Sequence, residues 1–168
     1  MTSYTQSRPS PIEARKRLAE IIGECVYQAL GLKESLKVER AALETQDTDA
    51  LHDAVSSKST IVQSLSLLET ERLKLCEAAG FAHGSDQMDQ MTDWCDDESL
   101  VRNGWSHLME IVSDCNALNL TNGAIIRARQ QMIESNLGVL RGTEVDPDTY
   151  HREGRDNAAM NQRSLARA

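Results

Sequence analysis

Histidine is the side chain best suited to carry a proton or a phosphoryl group near neutral pH, and this sequence holds four: His52, His83, His107 and His151. His52 is the candidate for a helical phosphotransfer module. Such a module follows its histidine with a lysine and a glycine within one turn so that phosphate can approach, and here those places hold Val55 and Ser56. A carboxylate-bridged metal bundle needs paired Glu-x-x-His motifs facing inward. Asp49 to His52 and His107 to Glu110 are single, unrelated spacings, and His83 beside an acidic stretch reads as a solvated loop residue. Cys25, Cys76, Cys95 and Cys115 are widely spaced and form no C-x-x-C, so neither a zinc knuckle nor a disulfide framework is suggested. They read as small core residues in a reducing cytosol. No nucleophile elbow, phosphate loop or Cys/His pairing is present. The sequence therefore predicts no catalytic residue, no metal, no cofactor, no small-molecule substrate and no enzyme.

Composition narrows the class of partner. The net charge is −8, and the stretch from Asp86 to Glu98 holds six acidic side chains and no basic one. Affinity for nucleic acid comes largely from clustered Lys and Arg displacing counterions, so no nucleic-acid partner is expected. The opening MTSYTQSRPS offers no apolar core for a signal peptide. No stretch approaches the run of about 18 apolar residues that spans a bilayer, so the expectation is a cytoplasmic chain without membrane insertion. Aromatics are scarce, with two Trp, three Tyr and one Phe, while Leu, Ala, Glu, Gln and Ser abound. That mixture favours helices packed through aliphatic side chains over sheets.

The apolar rhythm then gives the elements. Pro11 after Ser10 marks a helix start. From there Leu18, Ile22, Cys25, Ala29, Leu32 and Leu36 recur at alternating spacings of four and three, with Leu43 in phase, up to about Glu44. A turn at residues 45–48 offers Asp47 or Thr48 as the next cap, and Gly80 is placed to end the second helix after Ala79. Lys58 and Arg72 interrupt the second helix's stripe of Leu51, Ala54, Ile61, Leu65, Leu68, Leu75 and Ala79, which Val55 and Val62 widen. Both are expected to flank the seam, stems on the apolar surface and charges in water. Ser85 could cap a short helix that buries Met88, Met91 and Trp94. From Glu98 to about Arg141 the period returns through Val101, Trp105, Leu108, Val112 and Cys115, then Ile126, Ile133 and Leu140, with a parallel row Ile111, Leu118, Ile125, Met132 and Val139.

The predicted fold is all-α: an elongated antiparallel bundle of three long helices, with a short connecting helix and a flexible C-terminal tail. Residues 1–10 are expected to be a disordered arm, 11–141 the helical domain, and 142–168 a mobile polar tail. At 1.5 Å per residue the three long helices span roughly 50, 46 and 66 Å. The last is too long for its neighbours, so Met132, Ile133, Leu137, Val139 and Leu140 should remain exposed on an overhang, a face suited to receiving another helix. A homo-oligomer or a folded-back tail would be the alternative cover.

Within the last helix, Asn119-Leu120-Thr121-Asn122-Gly123-Ala124-Ile125-Ile126, followed by Thr149-Tyr150-His151-Arg152-Glu153-Gly154, resembles the N-x-x-N-G-x-I-I and T-Y-x-x-x-G pattern of FlgN-type flagellar export chaperones. LKVERAALETQDTDALHDAVSSK also resembles that family's first interhelical turn. The likeness covers roughly residues 15–155. It implies a non-catalytic chaperone of the flagellar type III export system, which holds a terminal helical segment of the hook-associated proteins FlgK and FlgL and delivers it to the flagellar export gate. By motif match, Asn119, Asn122, Gly123 and Ile126 fall in the signature, and Tyr150 and Gly154 in a tail used for client or gate contact. Asn119 and Asn122 occupy seam positions, where a polar residue serves either register or a partner's hydrogen bonds. Gly123 suggests either close approach by another helix or a break, and the resumed phase at Ile126 favours continuity. A structural coiled-coil protein is the reading that keeps the seams and discards the client.

Overall fold

The structure, a computed structural model, describes residues 8–141 of the 168. Four helices account for nearly all of them: α1 (Pro11–Thr45), α2 (Thr48–Ala78), α3 (Gln87–Cys95) and α4 (Leu100–Leu140). No strand occurs among the described residues. The chain divides into two compact units at the Arg127/Ala128 boundary. The first contains α1, α2, α3 and α4 as far as Arg127. The described part of the second is the remainder of α4, with Arg141.

Each boundary has a local cause. Ser10 caps α1 through a reciprocal box: its Oγ accepts the Glu13 N–H at 3.4 Å while the Glu13 carboxylate takes the Ser10 N–H at 3.0 Å. Hydrogen bonds from the Ser10 side chain and backbone hold the Glu13 carboxyl below its usual range. At the other end Gln46 turns into the left-handed region at φ 61°, and Asp47 then caps α2 by accepting the Ala50 N–H at 3.0 Å. The end of α2 is a Schellman motif. Gly80, at φ 90°, donates to Glu77 O, and Phe81 donates to Cys76 O, both at 2.9 Å. Ser85 is not the cap of α3: Asp86 immediately precedes the helix, and it makes no side-chain capping bond. The Asp96 carboxylate starts α4 by accepting the N–H groups of Leu100 and Arg102 at 3.1 and 2.9 Å.

Helix α1 is the central element of the first unit. One end of its seam, Ala14, Leu18 and Ile22, packs with Cys76 of α2 and Ala79 just after that helix, Met88, Met91 and Cys95 of α3, and Val101 of α4. Further along, Cys25, Ala29 and Leu36 pack with Leu108, Ile111 and Cys115 of α4. Burying each large aliphatic side chain contributes about 1.5–3 kcal/mol. Helices α1 and α2 run in opposite directions, since Arg17 pairs with Glu71 at 2.7 Å and the Ser35 hydroxyl donates to Ala54 O at 2.9 Å. Up to Asn122, α4 runs with α1. The Cys115 thiol donates to Ala29 O, and the Asn122 amide donates to Leu36 O.

Two expectations are corrected here. Arg72 is buried, at 6% exposure, and does not flank the seam. Its guanidinium is satisfied on several sides: two bonds to the Glu69 carboxylate at 2.7 and 2.8 Å, one to Gln87 Oε1 at 3.3 Å, and the Trp105 ring centroid 5.2 Å away. A lone helix pattern could not reveal it, because Gln87 and Trp105 arrive from other elements. In α4, Val112 is exposed while Ile111 is buried. The buried stripe keeps the seven-residue row Val101, Leu108, Cys115 and Asn122, and Ile111, one turn before Cys115, faces α1 where Val112 was expected.

Candidate functional site

The Asn-Gly segment lies on α4 beside α1, and its members have different surroundings. Asn122 is 1% exposed. Its amide nitrogen donates to Leu36 O at 2.9 Å and to Glu39 Oε2 at 2.8 Å, both on α1. Glu39 is itself buried, at 3% exposure, and its other carboxylate oxygen takes the Lys58 ammonium of α2 at 2.5 Å. A single polar chain thus ties α4 to α1 and α1 to α2. The Asn122 Oδ1 atom is buried without a partner among the described residues. Lys58 is half-buried, so it joins the interior more than a flanking position would.

Gly123 corrects another expectation. Among the described residues no second helix approaches it: an added Cβ would meet only the far end of the Arg127 side chain, 3.4 Å away. The helix is continuous across it. The close approach occurs at Gly104, where a Cβ would stand 3.2 Å from Ile22 Cγ2. Gly123→Ala is therefore expected to stabilise the fold by about 1 kcal/mol, the intrinsic helix preference of alanine over glycine. Urea unfolding followed by circular dichroism checks it; a loss of stability would mean that the position is crowded.

Asn119, one turn before Asn122, is exposed and stands at the edge of an open trough of about 460 Å³ within the first unit. Leu32 and Leu36 of α1 contribute to the lining, with Val55 and Val62 of α2 and Cys115 of α4 completing its apolar part. Its polar part is Lys58, Ser59 and Gln63 on α2, and Asn116 and Asn119 on α4. Along the trough α2 buries no large side chain. Its buried residues are Ala54, Arg72 and Cys76, while Val55 and Val62 stay exposed. Sequence reasoning missed this trough. Its signal is a lack of charge: residues 59–68 and 115–126 contain no Asp, Glu, Lys or Arg.

The remaining expected residues form a strip on α4. Ile126 belongs to the first unit and is partly exposed. In the second unit Met132, Val139 and Leu140 are 66%, 70% and 82% exposed, and Ile133 and Leu137 are exposed as well. Tyr150 and Gly154 lie outside the described residues, as do most of residues 1–10 and all of 142–168.

All four thiols are buried, and burial is the leading cause that pushes each of them up, away from the reactive thiolate. His52 is exposed on α2. Among the described residues no cluster of three or more His, Cys, Asp or Glu is arranged to hold a metal ion, and no helix is long and apolar enough to cross a membrane.

Against known proteins, the chain matches the family model described as "FlgN protein" over residues 13–158. Neither a curated protein nor a solved structure matches it.

Proposed function

The chain belongs to the FlgN family, and on that premise we propose that it is a flagellar export chaperone that works in the cytoplasm. It holds the terminal helical segment of the hook-associated proteins FlgK and FlgL, keeps it from premature assembly or degradation, and delivers it to the flagellar export gate. No catalysis is involved. The observation that carries this reading is the strip Met132, Ile133, Leu137, Val139 and Leu140, five large apolar side chains exposed on a helix. Burial of such side chains by a partner helix contributes about 1.5–3 kcal/mol each before the ordering cost is subtracted.

In this account the client helix contacts α4. Val112, Asn119 and Ile126, spaced by seven, supply contacts in the first unit, and Ile133 and Leu140, also spaced by seven, supply contacts in the second. Met132 and Val139 belong to the neighbouring row, and Leu137 lies one turn before Leu140. Asn122 acts indirectly, by holding α4 in register with α1 through Leu36 O and Glu39. Gly123 leaves room for the client backbone, and Tyr150 and Gly154 contact the client or the gate.

Capture from the cytosol of flagellated cells with the tagged chain, followed by mass spectrometry, tests the assignment. FlgK or FlgL is expected as the enriched protein. Enrichment of neither, with the chain eluting as one self-sufficient oligomer, would favour a structural coiled coil.

A further inference from the structure

We propose that the trough lined by α1, α2 and α4 docks an amphipathic helix whose apolar row is flanked by amides and hydroxyls and not by charges. The inference rests on the chaperone reading and narrows it, from a helix of any composition to an uncharged one.

The composition of the walls carries the argument. Charged residues make up 26% of the chain, yet residues 59–68 of α2 and 115–126 of α4 hold none. In their place stand Ser59, Gln63, Asn116 and Asn119 around an apolar floor. The one charge in the lining, Lys58, is already neutralised by buried Glu39 at 2.5 Å. Among the described residues the side chains of Gln63, Asn116 and Asn119 make no hydrogen bond within the chain. Each carries both donors and an acceptor.

These walls discriminate by desolvation. A carboxylate or ammonium laid against them loses its water and gains no counter-charge. An amide or hydroxyl in the same place exchanges hydrogen bonds with Gln63 on one side and Asn119 on the other. The net charge of −8 adds repulsion against an acidic helix. From Val55 to Gln63 the α2 wall extends about 12 Å. That length suits about two turns of a helix, presenting apolar side chains at i, i+3 or i+4, and i+7. Because no ion pair is formed, the association should be nearly indifferent to salt.

The test uses the full chain and three labelled helical peptides of about 18 residues that share one leucine row. Their flanks are Gln/Ser, Glu or Lys, and binding is read by fluorescence anisotropy. The Gln/Ser peptide is expected to bind saturably and at least roughly tenfold more tightly than either charged peptide. Its Kd should change less than about twofold between roughly 50 and 500 mM NaCl. Val62→Glu, at an exposed wall position, should weaken it at least roughly tenfold with the helical signal unchanged. Asn119→Lys should weaken the Gln/Ser peptide and strengthen the Glu one. Equal binding of the three peptides, no binding of the Gln/Ser peptide, or indifference to Val62→Glu overturns the proposal. So does a photo-crosslinker at position 62 that, without peptide, captures residues 142–168 or a second copy. A chain that captures FlgK or FlgL but ignores the Gln/Ser peptide would refute this inference alone and leave the chaperone reading standing.

Discussion

Replacing Asn122 by aspartate is expected to lower the unfolding free energy at pH 7 by about 4 kcal/mol, a large share of the roughly 5–15 kcal/mol that holds a domain together. In the native chain the Asn122 nitrogen donates to two acceptors, Leu36 O and Glu39 Oε2. Asn122→Asp turns that donor into an acceptor at 2.8 Å from a buried carboxylate. The like charge beside it disfavours ionisation of the new aspartate. The new aspartate would have a pKa near 3.9 in the unfolded chain and a raised one in the folded chain. The folded state then binds a proton that the unfolded state releases. Its deficit is complete above the raised folded value and is recovered as pH falls toward the unfolded one. Urea unfolding of wild type and variant across that range checks the point. A deficit that stays constant with pH would indicate lost packing and not carboxylate repulsion. Asn122→Leu, which leaves the Glu39–Lys58 pair intact, should cost less.

The second large effect concerns binding and leaves the fold alone. Leu140→Glu is expected to weaken the complex with a FlgK or FlgL terminal segment by about 30- to 100-fold, because one buried leucine is worth about 2–3 kcal/mol and every 1.4 kcal/mol is tenfold. Met132→Glu should act in the same direction. Leu140 and Met132 are 82% and 66% exposed, so glutamate costs the free chain little, and circular dichroism should be unchanged. Isothermal titration with the purified segment measures the loss. Unchanged affinity in both variants would remove the strip from the account.

How far each feature could be read in the sequence follows from how local its cause is. The seam of α1 was legible because its period depends on one helix alone, and Leu18, Ile22, Cys25, Ala29, Leu36 and Leu43 are all buried. The stop at Gly80 was legible for the same reason: a glycine after a helical run favours the left-handed turn seen at φ 90°. Arg72 and Glu39 were not. Each reads as an exposed charge within its own helix, and only partners from distant segments explain its burial: Gln87 and Trp105 for one, Asn122 and Lys58 for the other. Asn122 was legible as a seam residue, with register and partner binding both open; its bonds to α1 support register. The trough escaped notice because periodicity weighs what is apolar, whereas its boundaries are marked by missing charge.

The most direct test is to mix the full chain with a purified terminal segment of FlgK or FlgL and measure the mass of what elutes by light scattering. A larger one-to-one species is expected, and it is lost on Leu140→Glu. Independent elution of the two components at concentrations well above micromolar would contradict the proposal that this helix end holds a flagellar client.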